Sequence, residues 1–185
     1  EFCDFDVSVR RPSGLRKHLK PQVQFVFDGH SAFEPLPVAH AFPMLEWGMN
    51  WCISTHVNQF LLIHAAVIER DGRAVILPAP PGSGKSTLCA GLIHRGWRLM
   101  SDEVTMIPFD GSGIRALGRP VSLKNASIDV IGRFEPGAVF NVPTPNTAKG
   151  TVTHMKVPPG HLEQLGRTAQ PAWVVFPKWQ AGSPA

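Results

Sequence analysis

Nine residues, Ala79-Pro80-Pro81-Gly82-Ser83-Gly84-Lys85-Ser86-Thr87, have the types and spacing of a phosphate cradle. The nucleotide-binding pattern is Gly, four residues, Gly-Lys, then Ser or Thr. Ala79 stands where the first Gly is expected, and Gly84-Lys85-Ser86 completes the pattern. Gly82 and Gly84 let the backbone curl so that successive N–H groups face phosphate oxygens. Pro81, Ser83 and Thr87 complete the backbone that would wrap the anion. Lys85 would carry charge to the β and γ phosphates, and the Ser86 hydroxyl would ligate Mg²⁺.

Such a loop must follow a strand and open a helix. Arg73-Ala74-Val75-Ile76-Leu77 is a short β-branched apolar run and predicts the strand. Leu88/Leu92 and Cys89/Ile93 fall four apart and predict the helix, with Gly96 at its C-terminal end. The helix would add the positive end of its dipole to the anion site. A Pro/Gly-rich turn ending by chance in Gly-Lys-Ser is the competing reading.

Phosphoryl transfer also needs acidic groups for metal and for the attacking hydroxyl. Asp102 and Glu103 follow the apolar run Trp97-Arg98-Leu99-Met100, where a strand end would return to the phosphates. Neighbouring side chains on extended backbone point to opposite sides. One acid would then face metal and the other an acceptor, unless the pair is only a solvated turn. Arg119, Lys124 and Lys149 are candidate phosphate clamps or plain surface charges. Thr151 and His154, on a predicted strand after Lys149, are candidate pocket-lining residues. The other histidines, at 18, 30, 40, 56, 94 and 161, show no metal spacing.

Before the loop, Leu61 to Ile68 predicts an apolar strand, and Asp71-Gly72 predicts a hairpin into the loop's own strand. The loop strand would thus have an antiparallel neighbour, unlike an ordinary doubly wound sheet. Val23 to Phe27 predicts a strand with a turn at Asp28-Gly29, and Phe2 to Arg10 alternates loosely. Residues 31–43 predict a loop. Met44 to Phe60 predicts a helix whose apolar positions wrap most of its surface, so a core role or packing on a partner chain stays open. Later segments predict a strand at 104–107, a run at 114–117 that pairs back, and a short helix after Lys124-Asn125 with Ile128 and Ile131 on one face. A turn-rich stretch at 132–150, strands at 151–157 and 172–176, and a short helix at 160–165 complete the reading.

Taken together, Ile63-His64-Ala65-Ala66-Val67, the 79–87 loop and Arg98-Leu99-Met100-Ser101-Asp102-Glu103 resemble the catalytic domain of HPr kinase/phosphorylase. The runs Arg119 to Asn125 and Thr144 to Thr151 resemble the branch called HprK-related kinase A. The resemblance covers roughly residues 60–160 and implies an α/β P-loop kinase domain with a mixed, curved sheet and flanking helices, of the phosphoenolpyruvate carboxykinase-like type. It implies Asp102 as base toward a protein serine, Glu103 as a metal ligand, and His64 as a third catalytic group beside Lys85. It also implies an acceptor in an exopolysaccharide or exosortase pathway. By residue type alone, a histidine in an apolar strand such as His64 is more often a satisfied core residue, and the resemblance puts the two readings level. The parent kinase's glycine-rich signature for its carrier protein is absent from the sequence, and Glu103 replaces the usual second Asp.

Composition sets the limits. The chain has 185 residues and is 43% hydrophobic, enough for a real core. Net charge is +4, which suits an anionic nucleotide and does not demand nucleic acid or membrane. Pro and Gly make up about a fifth of the chain, above the average of about 12% and below the disordered range of about 25–30%. Cys3, Cys52 and Cys89 are scattered, which argues against a disulfide framework and for reduced thiols in a cytoplasm. No apolar run reaches about 18 residues, so no membrane span is expected. The chain opens at Glu1 and stops soon after a predicted strand, which reads as part of a longer protein. The predicted organisation is strands and loop at 1–43 packing on a kinase domain at 44–185.

The expected function is an ATP-dependent kinase. Mg-ATP sits on 79–87, Lys85 and His64 attend the phosphates, and Asp102 takes the acceptor proton. Ser86, Glu103 and Asp102 are the metal ligands. A non-catalytic ATP-binding regulator and a small-molecule (sugar) kinase are the alternatives, and a homo-oligomer stays open.

Overall fold

The computed structural model describes residues 4–14 and 21–182. Cys3, His18 and the start of the first predicted strand lie outside the described residues. In chain order the strands and helices are β1 (Val7–Arg10), β2 (Gln22–Phe27), β3 (His30–Ser31), β4 (Leu36–Pro37), α1 (Ala41–His56), β5 (Phe60–Ile63), β6 (Ala65–Arg70), β7 (Arg73–Pro78), α2 (Lys85–Ile93), β8 (Arg98–Ser101) and β9 (Thr105–Pro108). There follow β10 (Val121–Lys124), α3 (Ala126–Phe134), β11 (Thr144–Thr147), β12 (Gly150–Met155), α4 (Pro159–Leu162) and β13 (Gln170–Val174). This is a mixed α/β chain with several sheets and few helices among the described residues.

Two compact units emerge. One is Glu1–Asn58 with Thr144–Ala148, the other Gln59–Pro143 with Lys149–Ala185. The expected boundary at 43/44 is therefore displaced. The reason is α1, which packs on β2 and stays with the first strands. Met44, Gly48 and Cys52 recur at every fourth position and form a buried stripe against Val23 and Phe25. Gly48 makes that contact possible, because a β-carbon there would sit 2.3 Å from the Phe25 ring. We predict that Gly48→Ala lowers stability by about 1–3 kcal/mol through overpacking. A shift of the denaturant midpoint at constant slope checks this. The Asp28-Gly29 turn forms as expected, with both residues at positive φ and Phe27 opposite His30.

In the second unit the central sheet runs β13-β7-β6-β8. β6 is antiparallel to both β7 and β8, while β13 is parallel to β7. The hairpin at Asp71-Gly72 is present with Arg70 opposite Arg73. Both turn residues have positive φ, 54° and 77°, the conformation a two-residue primed turn requires. Strand alternation buries both sheet faces. Ala66, Ile68, Leu77 and Leu99 meet Cys89, Ala90 and Ile93 of α2, Ile131 of α3, and Val121, Leu123 and Met155 of β10 and β12. Ala65, Val67, Ile76 and Met100 meet Ile114 and Ala169 on the other side.

Several predicted elements differ. The helix expected at 44–60 runs 41–56, and Phe60 already begins β5. The single strand expected at 61–68 is broken at His64 into β5, which pairs with β9, and β6. Apolar runs on both sides of a lone polar residue hide such a break. Residues 114–117 do not pair back as a strand: Ile114 makes one bridge to Ala169, and the Leu117 N–H donates to the Met100 carbonyl at 2.8 Å. β10 was not foreseen at all. Its register opposite β12 is set by distant sequence.

Candidate functional site

The topology gathers the site at one edge of the central sheet. Because β7 and β8 both run against β6, their C-terminal ends lie beside the start of β6. Ala65 pairs with Pro78, the last residue before the loop, and Val67 pairs with Ser101, the residue before Asp102. His64, the 79–84 loop and the Asp102-Glu103 bend are thereby brought to the same edge. The strand, loop and helix order expected from the sequence is present, with β7 leading through the loop into α2.

The loop is built for close approach. Gly82 and Gly84 have φ of 85° and 87°, and Gly84 is the N-cap of α2 in left-handed conformation. The Ser83 N–H donates to the Pro80 carbonyl at 3.3 Å, closing the turn below them. Lys85, Ser86 and Thr87 form the first turn of α2, and the first helical bond runs from the Leu88 N–H to the Gly84 carbonyl at 2.8 Å. The N–H groups before it have no acceptor within the helix. Gly84, as the N-cap, has no side chain with which to cap them. Such a helix start, with the dipole behind it, attracts anions.

Lys85 is 9% exposed, and its Nζ lies 3.4 Å from His64 Nε2. Burial lowers the lysine's affinity for its proton, Asp102 and Glu103 push back, and Lys124 adds to the lowering. His64 itself stands exposed at the strand break. Its pKa is lowered by partial burial and then by Lys85, with Glu103 opposing. A neutral ring can accept from the lysine. The core-histidine alternative does not describe this position.

Asp102 is not on a solvated turn. It is 6% exposed, and its Oδ2 accepts the Ser122 N–H of β10 at 2.9 Å. Its Oδ1 has no hydrogen-bond partner among the described residues. Burial raises the pKa to about 6; the Ser122 N–H opposes this, Glu103 adds to it, and a hydrogen bond from the Ser86 side chain to the carboxyl and the charge of Lys85 oppose it. A buried carboxylate oxygen left without a donor is uncommon and points to a missing ligand. Glu103 is half-buried, with Oε1 3.7 Å from Lys124 Nζ. The bend is fixed by Ser101, whose hydroxyl donates to the Val104 carbonyl. Thr105 then ties β9 to β6 through the Ala65 carbonyl at 3.1 Å.

Among the described residues no group of three or more His, Cys, Asp or Glu is placed to hold a metal. The nominated set of Ser86, Asp102 and Glu103 contains two carboxylates and a hydroxyl. That donor set suits Mg²⁺, which takes one or two carboxylates and completes its shell with phosphate oxygens and water. Beside these donors the buried Oδ1 of Asp102 is without a hydrogen-bond partner among the described residues, which fits a site completed by a ligand. Structural zinc or a cysteine centre does not fit, since Cys52 and Cys89 are separate, buried thiols.

The other nominated residues divide. Lys124 meets Glu103, as above. His154 is 4% exposed, opposite Ser122 across β10 and β12, and burial lowers its pKa to about 4, with Glu103 opposing and Arg119 and Lys124 assisting. It is a neutral ring at pH 7. Thr151 and Lys149 instead build the turn at Asn125: the Thr151 N–H donates to Asn125 Oδ1 at 3.0 Å, and Asn125 Nδ2 donates to the Lys149 carbonyl at 3.4 Å. Ser122 was missed. It acts through a backbone N–H, which residue type does not reveal.

A family model matches residues 41–120, 80 of the 185 residues: SynChlorMet cassette protein ScmC. No curated protein matches the chain. The match overturns the resemblance to HPr kinase/phosphorylase, since His64, the loop and the acidic pair all lie inside a stretch similar to ScmC. A strand, a phosphate loop and a returning acid are what any such site needs, so these motifs do not separate families. The branch assignment and the exosortase acceptor drawn from it fall with the resemblance. No helix among the described residues is long and apolar enough to cross a membrane.

Proposed function

We propose that the second unit is a P-loop kinase domain that transfers the γ-phosphate of ATP to a hydroxyl. The loop and the first turn of α2 supply N–H donors for the triphosphate. Lys85 supplies charge, held in place by His64. Mg²⁺ held by Ser86 with Glu103 would neutralise the phosphate oxygens, which leaves Asp102 Oδ1 to the acceptor. Asp102 acts as base: the acceptor oxygen bonds to the γ-phosphorus, the bond to the ADP oxygen breaks, and the acceptor proton passes to Oδ1. A base with pKa about 6 is ionised at pH 7 and still basic enough to take that proton.

One observation carries this reading. A buried carboxylate with an unfilled oxygen lies among the groups that attend an anion-binding helix start. A regulator that only senses ATP needs no base at this place. Incubation with γ-labelled ATP and a cell extract tests the proposal, with the labelled product separated by size. Label on a protein or on a small hydroxyl compound supports transfer and names the acceptor class. ATP binding with no label and no ATP consumed would contradict it. Lys85→Ala should weaken Mg-ATP binding about 10–100-fold by removing a charge-assisted contact, read by calorimetry.

A further inference from the structure

After β13 the chain stays beside the loop strand. The Val175 N–H donates to the Ile76 carbonyl at 2.9 Å, and the Trp179 N–H donates to the Ser83 carbonyl at 3.0 Å. A β-carbon on Gly84 would lie 3.2 Å from Trp179 Cβ. The residue is thus pinned by its backbone to the rim of the phosphate loop, yet it is 73% exposed. An indole left in water beside an anion site gains nothing for the fold. Its flat face, anchored at that point, offers a surface on which a ring attached to the phosphates can lie.

We infer that Trp179 is the base-stacking residue of the nucleotide site, so that the ligand is a nucleoside triphosphate and not an inorganic polyphosphate. The inference rests on the nucleotide reading of the loop and extends it to the base. Base stacking on an aromatic side chain is strong enough to change affinity about tenfold. It reads no hydrogen-bonding edge. Trp179→Ala keeps the backbone bond to Ser83, so the cradle should survive the change.

The test compares Mg-ATP with tripolyphosphate by calorimetry on the full chain. Trp179→Ala should weaken Mg-ATP about tenfold and leave tripolyphosphate unchanged, while Trp179→Phe should recover most of the loss. Lys85→Ala should weaken both ligands. Loss of both ligands in Trp179→Ala, or of neither, would overturn the stacking role while Lys85→Ala still reports a working phosphate loop. Unchanged binding of both ligands in Lys85→Ala would overturn the nucleotide reading itself.

Discussion

Asp102→Asn is expected to cut phosphate transfer by about 10²–10⁴-fold, the usual worth of a general base, while Mg-ATP still binds. The amide keeps the shape and can still accept the Ser122 N–H, but it cannot take a proton. The same change should make the unliganded protein more stable above pH 6. Burial holds the folded carboxyl at about 6 against 3.8 as the ordinary value. The folded state therefore binds its proton more tightly than the unfolded chain. As pH rises from about 4 to about 6 the unfolded carboxyl has ionised and the folded one resists, so stability falls. Above 6 both are ionised and the penalty is constant, about 3 kcal/mol. Asn removes that penalty but leaves a buried NH₂ short of an acceptor, which returns about 1–3 kcal/mol. The net gain is then on the order of 1 kcal/mol, or about 2–4 °C in melting temperature. Denaturant midpoints at pH 4.5 and 7.5 check it: the gap between variant and parent should widen at the higher pH. A variant that loses stability at pH 7.5 and keeps turnover would contradict both the buried-charge account and the base assignment.

Arg98→Ala is expected to cost about 3–5 kcal/mol, because it leaves Glu69 as an uncompensated buried charge. Glu69 and Arg98 are 6% and 7% exposed, on the neighbouring strands β6 and β8. Arg98 Nε donates to Glu69 Oε2, and its terminal nitrogens donate to the Gln164 and Arg167 carbonyls at 2.8 and 2.9 Å. Glu69 Oε1 in turn accepts the Gly72 N–H at 2.7 Å, which braces the hairpin leading into β7. Burial pushes the Glu69 pKa up, but the Arg98 and Gly72 hydrogen bonds outweigh it and hold the carboxyl below its ordinary range. A depressed carboxyl stabilises above its unfolded pKa, so this contribution is lost as pH falls through the acid range. The double variant Glu69→Leu with Arg98→Met should be nearer the parent than Arg98→Ala, since it removes the charge with its partner. Urea unfolding of the three proteins measures this. A loss under 1 kcal/mol for Arg98→Ala would show the pair to be solvated. β8 ends next to Asp102, so the same loosening should reach the site.

The local parts of this fold are readable from sequence. The Asp71-Gly72 turn needs two positive φ values, and Gly82 and Gly84 need the same freedom at the loop. The acidic pair at 102–103 lies directly after a strand. Each of these is settled within a few residues. What brings Asp102 to Lys85 is different: two strands running against β6 place their ends at one edge, and neither strand carries a mark of that pairing. The same holds for Ser122, whose backbone N–H fixes Asp102 from a strand that nothing in the sequence marked, and for Trp179, which reaches the loop from nearly a hundred positions away in sequence. His64 reads as one residue of an apolar strand, and only the different partners of β5 and β6 expose the break. The family resemblance misled for a related reason. Its motifs were those that phosphate chemistry imposes on any chain.

The account rests on a triphosphate lying against Asp102, and the ionisation of that carboxyl can report it. In ¹³C-aspartate-labelled protein, with Asp102→Asn to assign the signal, the carboxyl should titrate near pH 6. Tripolyphosphate without metal should move that midpoint upward, as a nearby anion disfavours the charged form, and Lys85→Ala should abolish the movement. A midpoint near the ordinary value, or one that tripolyphosphate leaves in place, would contradict the account.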